Sequence, residues 1–348
     1  MPVKAYAAQS PDSGLASWEL ERRAPKTEDV SIDIMFCGVC HTDVHFAAND
    51  WGVTRYPLVP GHEIIGRVTA VGPDVSQYKP GDIVGVGCMV DSCRECSSCK
   101  QGLENYCAEG MTGTYNGVDR NDGSDTYGGY SQHIVVPERY VVKVPDELDP
   151  AAAAPLLCAG ITTYSPLNHV GVSKGHRVGV VGMGGLGHMG IKFAKAMGAE
   201  VTLFTRSGKK VEEAKRNGAD RVVISTDKEQ MQGAVETLDF ILDTVPVEHD
   251  FNPYLEALKL DGTYIIVGQL TPIEPAIQAR QLVRRRRKMM GSLIGGMPET
   301  QEVLDFCAKT GVRCDIEMLD IRNINEAYER MKQGDVRYRF VIDIDTLK

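Results

Sequence analysis

No segment of this 348-residue chain stays apolar for the roughly 18 residues that a membrane-spanning helix needs. Met1 to Ser10 has no apolar core flanked by positive charge, so the chain is read without an export signal. Positive charge is also in short supply. Lys and Arg number 38 against 47 Asp and Glu, a net charge of -9, which disfavours a general nucleic-acid or membrane-surface binder. The sequence has no low-complexity tract and no short-period repeat. These absences leave a soluble, cytoplasmic protein with room for two domains as the expectation.

What is present fits that expectation. Hydrophobic residues make up 43% and charged residues 24%, a globular balance far from a disordered one. Thirty-six glycines suit many tight turns and close backbone approaches. Ten cysteines need a reason. In a reducing compartment, clustered cysteines read as metal ligands before they read as disulfides.

The chain changes character near Pro150. Before it, Val30, Ile32, Ile34 and Phe36 alternate with period two. Ile64–Val71, Asp82–Val86 and Tyr130–Val136 are further short strand candidates broken by Gly and Pro, as in a small barrel or sandwich. Ala151–Ala154 and the segment to Leu167 read as helical. Strands at Val178–Val181, Val201–Phe204, Arg221–Ile224, Phe240–Leu242, Tyr264–Val267 and Met290–Ile294 then alternate with crossovers, including helices at Leu186–Met197, Lys209–Asn217 and Pro253–Lys259. That is the pattern of a doubly wound parallel sheet. The tail from Pro298 reads as two helices and a final strand at Tyr338–Ile342, outside the alternation.

Cys93, Cys96, Cys99 and Cys107 read C-x2-C-x2-C-x7-C. Four thiolates at this spacing can close a tetrahedron around one Zn2+ with no open position, so the site should be structural. The segment has little apolar material of its own, and a metal would supply the missing folding energy. A redox cluster and a zinc-ribbon binding module are the alternatives for this spacing taken alone.

Cys40, His62 and Cys158 are too dispersed for spacing to join them, but their surroundings are distinctive. Cys37–Asp43 reads C-G-V-C-H-T-D and Pro60–Gly66 reads P-G-H-E-I-I-G. Leu156–Tyr164 reads L-L-C-A-G-I-T-T-Y and Tyr338–Asp343 reads Y-R-F-V-I-D. Over essentially its whole length the chain resembles the zinc-dependent medium-chain alcohol dehydrogenases, within them the cinnamyl-alcohol-dehydrogenase-like branch. The resemblance implies a catalytic zinc on Cys40, His62 and Cys158, with a fourth position for water or a substrate oxygen. It implies that Glu63 lies near this zinc and binds it transiently, and that Asp43 orients the ligand imidazole. Thr42 would take the alcohol proton and His45 would pass it toward solvent. His41 falls where a pyrophosphate contact is expected, Thr162 where the nicotinamide ring is touched, and Trp51 on the substrate-pocket wall. Val267, Ser292 and Ile294 complete the implied cofactor set. Blander readings stay open for single residues: His41 as surface, Trp51 as core, and Cys37 with Cys40 as a redox C-x-x-C pair lacking its usual fold context. Cys37 and Cys88 receive no role.

Val180–Gly187 reads V-V-G-M-G-G-L-G. Gly182, Gly184 and Gly187 match G-x-G-x-x-G after an apolar strand and at the start of a helix, with Gly185 and Leu186 in the same turn. Such a turn brings a pyrophosphate to the helix N-terminus, although an ordinary strand-to-helix turn can look the same. An NAD site normally carries Asp or Glu roughly 20 residues further on. This chain has Thr205, Arg206, Ser207 and Lys210 there instead. Hydroxyls and positive charge suit a 2′-phosphate, so NADP(H) is expected over NAD. The run Arg284–Lys288, R-R-R-R-K, reads as a solvated helix end or loop rather than a nucleic-acid patch.

The expected fold is α/β. A Rossmann doubly wound parallel sheet, residues 153–296, is inserted into a GroES-like β-barrel catalytic domain of residues 1–152 and 297–348, with a zinc lobe at 88–110. The expected ligands are one catalytic and one structural Zn2+ per subunit, NADP(H), and a small alcohol or aldehyde bound in the cleft. A homodimer paired through the Met290–Ile294 strand is expected, with neither nucleic acid nor membrane as partner. The rivals are a zinc- and NADPH-binding sensor, a zinc-free quinone reductase of the same superfamily, and a zinc-ribbon nucleic-acid module. Intact Cys40, His62, Cys158 and Thr42 speak against the first two. Charge and the long Rossmann segment speak against the third.

Overall fold

The computed structural model describes residues 2–268 and 271–347. Its contacts divide the chain into two units, Met1–Ile161 with Gly295–Lys348, and Thr162–Ile294.

The first unit is organised around one long strand. Its strands in chain order are β1 (Pro2–Ala8), β2 (Leu15–Glu21), β3 (Asp29–Gly38), β4 (Ile64–Val71), β5 (Ile83–Val86), β6 (Met89–Asp91), β7 (Thr112–Gly113), β8 (His133–Pro137) and β9 (Val142–Lys143). β3 pairs antiparallel with β4, with β8 and with the tail strand Arg339–Asp343. Val30, Ile32 and Ile34 are buried, as the period-two pattern requires. The tail strand lays Val341 opposite Gly38 and Ile342 opposite Cys37, so the two ends of the chain meet just before Cys40. The hairpin of β1 and β2 escaped the sequence reading. Its inward residues include Ala5 and Ala7, too small to give a strong hydrophobic signal. The tail strand Ile316–Asp320 was missed for a similar reason, since it is half-exposed along its length.

The second unit carries β10 (Arg177–Val181), β11 (Glu200–Thr205), β12 (Arg221–Ile224), β13 (Leu238–Asp243), β14 (Leu258–Ile266) and β15 (Lys288–Gly291). Every neighbouring pair is parallel, in the order β12-β11-β10-β13-β14-β15. Strand order reverses between β10 and β13, the switch point outside which such sheets bind ligands. The last strand is a correction. It spans Lys288–Gly291 rather than Met290–Ile294, and Ile294 has a φ of 41° that no strand residue adopts. The helix expected at Pro253–Lys259 stops at Ala257, because Leu258 already pairs with Leu238 in the sheet.

The basic run is a helix end and turn with Arg284, Arg285, Arg286 and Lys288 exposed, as expected, and Arg287 alone is a second correction. Arg285 pairs with Glu236 at 2.6 Å and Arg286 with Asp261. Arg287 is buried and donates to the carbonyls of Leu258, Gln281 and Glu256 at 2.9, 3.0 and 3.2 Å. It staples β14 to the segment before β15 instead of facing solvent.

At the end of β13, Asp243 is fully buried. It accepts from Tyr264 Oη at 2.7 Å and from the Val245 amide at 3.0 Å, and lies 2.9 Å from His249 Nε2. His249 Nδ1 faces the Val247 carbonyl at 2.9 Å. Nδ1 faces a carbonyl that only accepts, and Nε2 lies at ion-pair distance from the Asp243 carboxylate without hydrogen-bond alignment, a setting that favours the protonated ring. Burial disfavours that charge, but Asp243 and the Val247 carbonyl outweigh it, and the pKa of His249 rises above 6.5. A folded pKa raised in this way stabilises fully below the unfolded value and is lost as pH rises through the folded one. The melting-midpoint gap between the native chain and His249→Gln should therefore be wider near pH 6 than about pH 9 in scanning calorimetry. An equal gap at both would exclude a charged ring.

Candidate active site

β3 ends at Gly38 and runs through Val39 to Cys40, which starts the helix His41–Ala48 in an extended conformation. Cys40 N donates to Asp43 Oδ2 at 2.8 Å, so the first turn is closed by the residue that also faces His62. Pro60 and Gly61 lead into β4 through His62 and Glu63. Cys158 follows the short turn Ala154–Leu157. These three chain segments bring Cys40, His62, Glu63 and Cys158 together, each buried, with one donor atom apiece lying within 4.8 Å of all the others. Cys40 Sγ is 3.9 Å from Cys158 Sγ, and His62 Nε2 is 3.3 Å from the same sulfur. Tetrahedral zinc with Zn–S near 2.3 Å separates its ligand atoms by about 3.8 Å, so the spacing fits.

The electrostatics fit as well. Asp43 Oδ1 lies 3.2 Å from His62 Nδ1 and also accepts from the Gly61 amide at 3.2 Å. An Nδ1 proton turned to Asp43 leaves the Nε2 lone pair facing the sulfurs. Burial opposes a charge on His62, yet Asp43 and the neighbouring sulfurs hold its pKa well above the usual value. The Cys158 bond pulls the Cys40 thiol down, while the same bond pushes Cys158 up. This packed set of donors favours a shared positive charge, which a divalent cation supplies.

Glu63 adds an unmet demand. Burial raises its pKa to about 7 against the opposing pull of Arg339, and neither carboxylate oxygen has a hydrogen bond. Arg339 Nη2 is 3.3 Å from Glu63 Oε1, an ion pair without hydrogen-bond alignment. Arg339 Nη1 donates to the Val39 carbonyl at 3.3 Å. The sequence reading missed Arg339. Its one signal was a charged residue inside the apolar strand Y-R-F-V-I-D.

The compact set also assembles. Cys93, Cys96, Cys99 and Cys107 lie within 4.8 Å of one another, with Cys99 Sγ 3.8 Å from Cys93 Sγ and 3.5 Å from Cys96 Sγ. Backbone amides of Cys96, Ala108 and Cys93 point at sulfurs of Cys93, Cys96 and Cys107 at 3.3, 3.4 and 3.4 Å. Amides aimed at sulfur suit thiolates, and four thiolates around one centre suit Zn2+. Arg94 ties this lobe to the barrel through Asp91 at 2.9 Å and Glu28 at 2.8 Å.

Thr42 and His45 lie on the helix that Cys40 starts. His45 Nδ1 contacts Asp50 Oδ2 at 2.7 Å, and its ring packs on Trp51 at 5.2 Å. Trp51 is 41% exposed, so it is not a core residue. It stacks edge-on to Phe46, which meets Tyr115, which meets the His62 ring, at 4.8, 5.4 and 5.6 Å. His41 is exposed, with Nε2 3.3 Å from the Met331 carbonyl.

In the second unit, Gly182 follows β10 with φ 86°, and Gly184 precedes the helix Gly185–Ala196, which contains Leu186 and Gly187. A Cβ on Gly187 would sit 2.2 Å from the Gly182 carbonyl oxygen, so only glycine closes this turn. β11 ends at Thr205, followed by exposed Arg206 and Ser207. Lys210 Nζ donates to the Met183 carbonyl at 2.9 Å, which ties it to the glycine turn. Thr162 lies in the helix Ala159–His169. Val267 N bonds to the Asp243 carbonyl at 3.0 Å, and Ser292 N to Ile266 at 3.1 Å.

Residues 26–146 match the Alcohol dehydrogenase GroES-like domain family, and residues 185–309 match the Zinc-binding dehydrogenase family. The barrel with its two cysteine-bearing clusters and the parallel six-stranded unit are thus the two parts of a zinc-binding dehydrogenase. The sequence is 54% identical to Aldehyde reductase YahK of Escherichia coli (strain K12), over 100% of this chain and 99% of that protein. A cinnamyl alcohol dehydrogenase, SbCAD4 from Sorghum bicolor, superposes with a TM-score of 0.95 at 44% identity, over 99% of this chain and 98% of that one. CAD from Helicobacter pylori, solved in complex with NADP(H), gives 0.91 at 40% identity, over 99% of each chain. The chain belongs to the zinc-dependent medium-chain alcohol dehydrogenases, in their cinnamyl-alcohol-dehydrogenase-like branch, and is an oxidoreductase. Among the described residues no helix is long and apolar enough to cross a membrane.

Proposed function

We propose that this enzyme transfers hydride between NADP(H) and a primary alcohol or its aldehyde, aliphatic or aromatic. The observation that carries the reading is the tight set of two sulfurs and an imidazole at Cys40, Cys158 and His62. When bound there, zinc supplies a Lewis acid for the substrate oxygen. Asp43 keeps the His62 ring in one tautomer. Glu63, drawn toward Arg339, would stand beside the metal as a further carboxylate that could hold it. Thr42 takes the alcohol proton and His45 hands it to solvent, its ring steadied at Nδ1 by Asp50. Trp51 forms part of the substrate wall. Cys93, Cys96, Cys99 and Cys107 hold a second, structural zinc.

The cofactor reading rests on the end of β11, where Thr205, Arg206 and Ser207 stand in place of a carboxylate. Lys210 adds positive charge beside the glycine turn. Pyrophosphate would meet the free amides after Gly184, with Gly182, Gly185, Leu186 and Gly187 close to it. His41, Thr162, Val267, Ser292 and Ile294 complete the cofactor contacts. The relatives named for aldehyde reduction and solved with NADP(H) support both halves of the reading. β15 is a sheet edge, which supports a homodimer built across it. Ten free cysteines, eight of them in two metal sets or beside one, suit a reducing cytoplasm.

A steady-state panel of aliphatic and aromatic aldehydes with NADPH and NADH tests the proposal. Oxidation of NADPH in preference to NADH, with some aldehyde turned over, is the expected result. No turnover of any aldehyde or alcohol by zinc-loaded protein would sink it.

A further inference from the structure

Arg22 follows β2 and is half-buried, with its guanidinium turned to a neighbouring segment of the chain. Its guanidinium donates four times: from Nε to the His133 carbonyl at 2.8 Å, from Nη1 to Tyr127 O at 2.5 Å, and from Nη2 to Gly128 O at 2.9 Å and Ser131 Oγ at 2.7 Å. All four acceptors lie in residues 127–133, the loop before β8 together with the first residue of that strand. Among the described residues no carboxylate forms an ion pair with Arg22. Burial pulls its pKa down to about 9, with Tyr127 opposing the shift and Arg23 adding to it. Such a cation is a costly way to hold a loop unless the position of that loop matters.

The other side of the loop presses on the segment that carries His62. Gly128 N bonds to the Val59 carbonyl at 2.8 Å, Gly129 N to Gly61 at 2.9 Å and Tyr130 N to Pro60 at 3.0 Å. The two backbones touch with no side chain between them. A Cβ on Gly128 would lie 2.4 Å from the carbonyl oxygens of Gly61 and Pro60, and one on Gly61 would lie 2.9 Å from Gly129 N. Tyr130 then reaches Asp43 Oδ2 with its hydroxyl at 3.3 Å, and Asp43 faces His62 Nδ1. One loop therefore sets both the backbone before His62 and the hydroxyl on the carboxylate that orients its ring.

We propose that Arg22 is a positioning residue for the metal site: by clamping loop 127–133 it fixes the His62 backbone and the Tyr130–Asp43 contact, and so holds zinc on Cys40, His62 and Cys158. The inference rests on the reading of those three residues as the catalytic zinc ligands. Lysine keeps the charge at position 22 but has no planar fork to serve four divergent acceptors.

Chelator-driven zinc release from the purified holoenzyme, read with a metal indicator, tests it. In Arg22→Lys, one of the two zinc ions should leave roughly tenfold faster, the scale of a lost outer partner of a metal ligand. The other, in its four-thiolate lobe, should leave at the native rate. The visible band of the cobalt-substituted protein should change in the same variant. Ser131→Ala removes one acceptor, leaves Arg22 in place and should shift release in the same direction by less, which carries the test should Arg22→Lys fail to fold. Native release rates and an unchanged cobalt band in these variants would overturn the proposal. Faster loss of both metals together would also overturn it, as general loosening. A native protein that binds only the lobe zinc would instead overturn the reading of Cys40, His62 and Cys158.

Discussion

Cys158→Ala should abolish turnover while leaving NADPH binding intact and removing one zinc per chain. The sulfur of Cys158 is the shared neighbour of the site, 3.9 Å from Cys40 Sγ and 3.3 Å from His62 Nε2. Its loss leaves one thiolate, one imidazole and a carboxylate paired with Arg339, a set that holds Zn2+ far less firmly. Polarisation of the substrate oxygen by a metal is worth several kcal/mol, so kcat should fall by roughly 10³-fold or more. NADPH affinity should survive because the glycine turn and the end of β11 lie in residues 162–294, a separate compact unit. The lobe zinc should survive because its four sulfurs are local in the chain and three of them accept from nearby amides. Metal analysis, cofactor titration and aldehyde turnover on one preparation read all three. Turnover within tenfold of native, or two zinc ions still bound, would exclude Cys158 as a catalytic ligand.

The two cysteine sets were legible in the sequence to different degrees, for a physical reason. Cys93 to Cys107 is local, so spacing alone brings four sulfurs within reach of one ion. Cys40, His62 and Cys158 meet only because β3, the entry to β4 and a turn far along the chain converge. No spacing rule encodes that, and a resemblance was needed to join them. The surroundings were harder still. Arg339 reaches Val39 from 300 positions away. Arg22 reaches loop 127–133 from 105 to 111 positions away. Arg22 is held mostly by carbonyls and Arg339 by one carbonyl and a carboxylate far along the chain, and a carbonyl leaves no mark in a sequence.

The fold follows the same logic. The doubly wound sheet was readable because its inner strands are buried on both faces and appear as short apolar runs. Val178, Val180, Val201 and Leu203 are fully buried. Its edge was misplaced because β15 is half-exposed, and apolar residues continue past its end at Leu293 and Ile294. Within the basic run, Arg287 alone misled, in the other direction. Five consecutive cations resemble a solvated surface, yet Arg287 lies inside with carbonyls as partners. Burial of a long side chain by hydrogen bonding to backbone cannot be told from sequence periodicity.

Arg206→Asp should raise KM for NADPH by roughly 10²-fold and leave KM for NADH within a few-fold of native. β11 ends at Thr205, and no carboxylate follows it before Lys210. Three cations stand in this stretch, but they are not equivalent. Lys210 donates to the Met183 carbonyl at 2.9 Å, which commits it to the glycine turn. Lys209 belongs to the short turn Gly208–Lys210, which runs directly into the following helix. Arg206 is the first residue beyond the strand and is exposed, with its backbone carbonyl accepting from Thr226 Oγ1 at 3.3 Å. Its position is fixed by main chain while its guanidinium is free to turn. A planar, permanently charged fork matches a phosphate better than an ammonium does. Losing a charge-assisted bond costs about 1.5–3 kcal/mol, and an aspartate adds repulsion against the 2′-phosphate. NADH carries a hydroxyl at that place, which an aspartate can accept, so the same substitution should not penalise it. Arg206→Ala separates the two effects, with loss of the cation alone giving the smaller rise for NADPH. Equal rises for both cofactors in Arg206→Asp would place the 2′-phosphate away from Arg206 and remove the basis for NADP selectivity at this strand end.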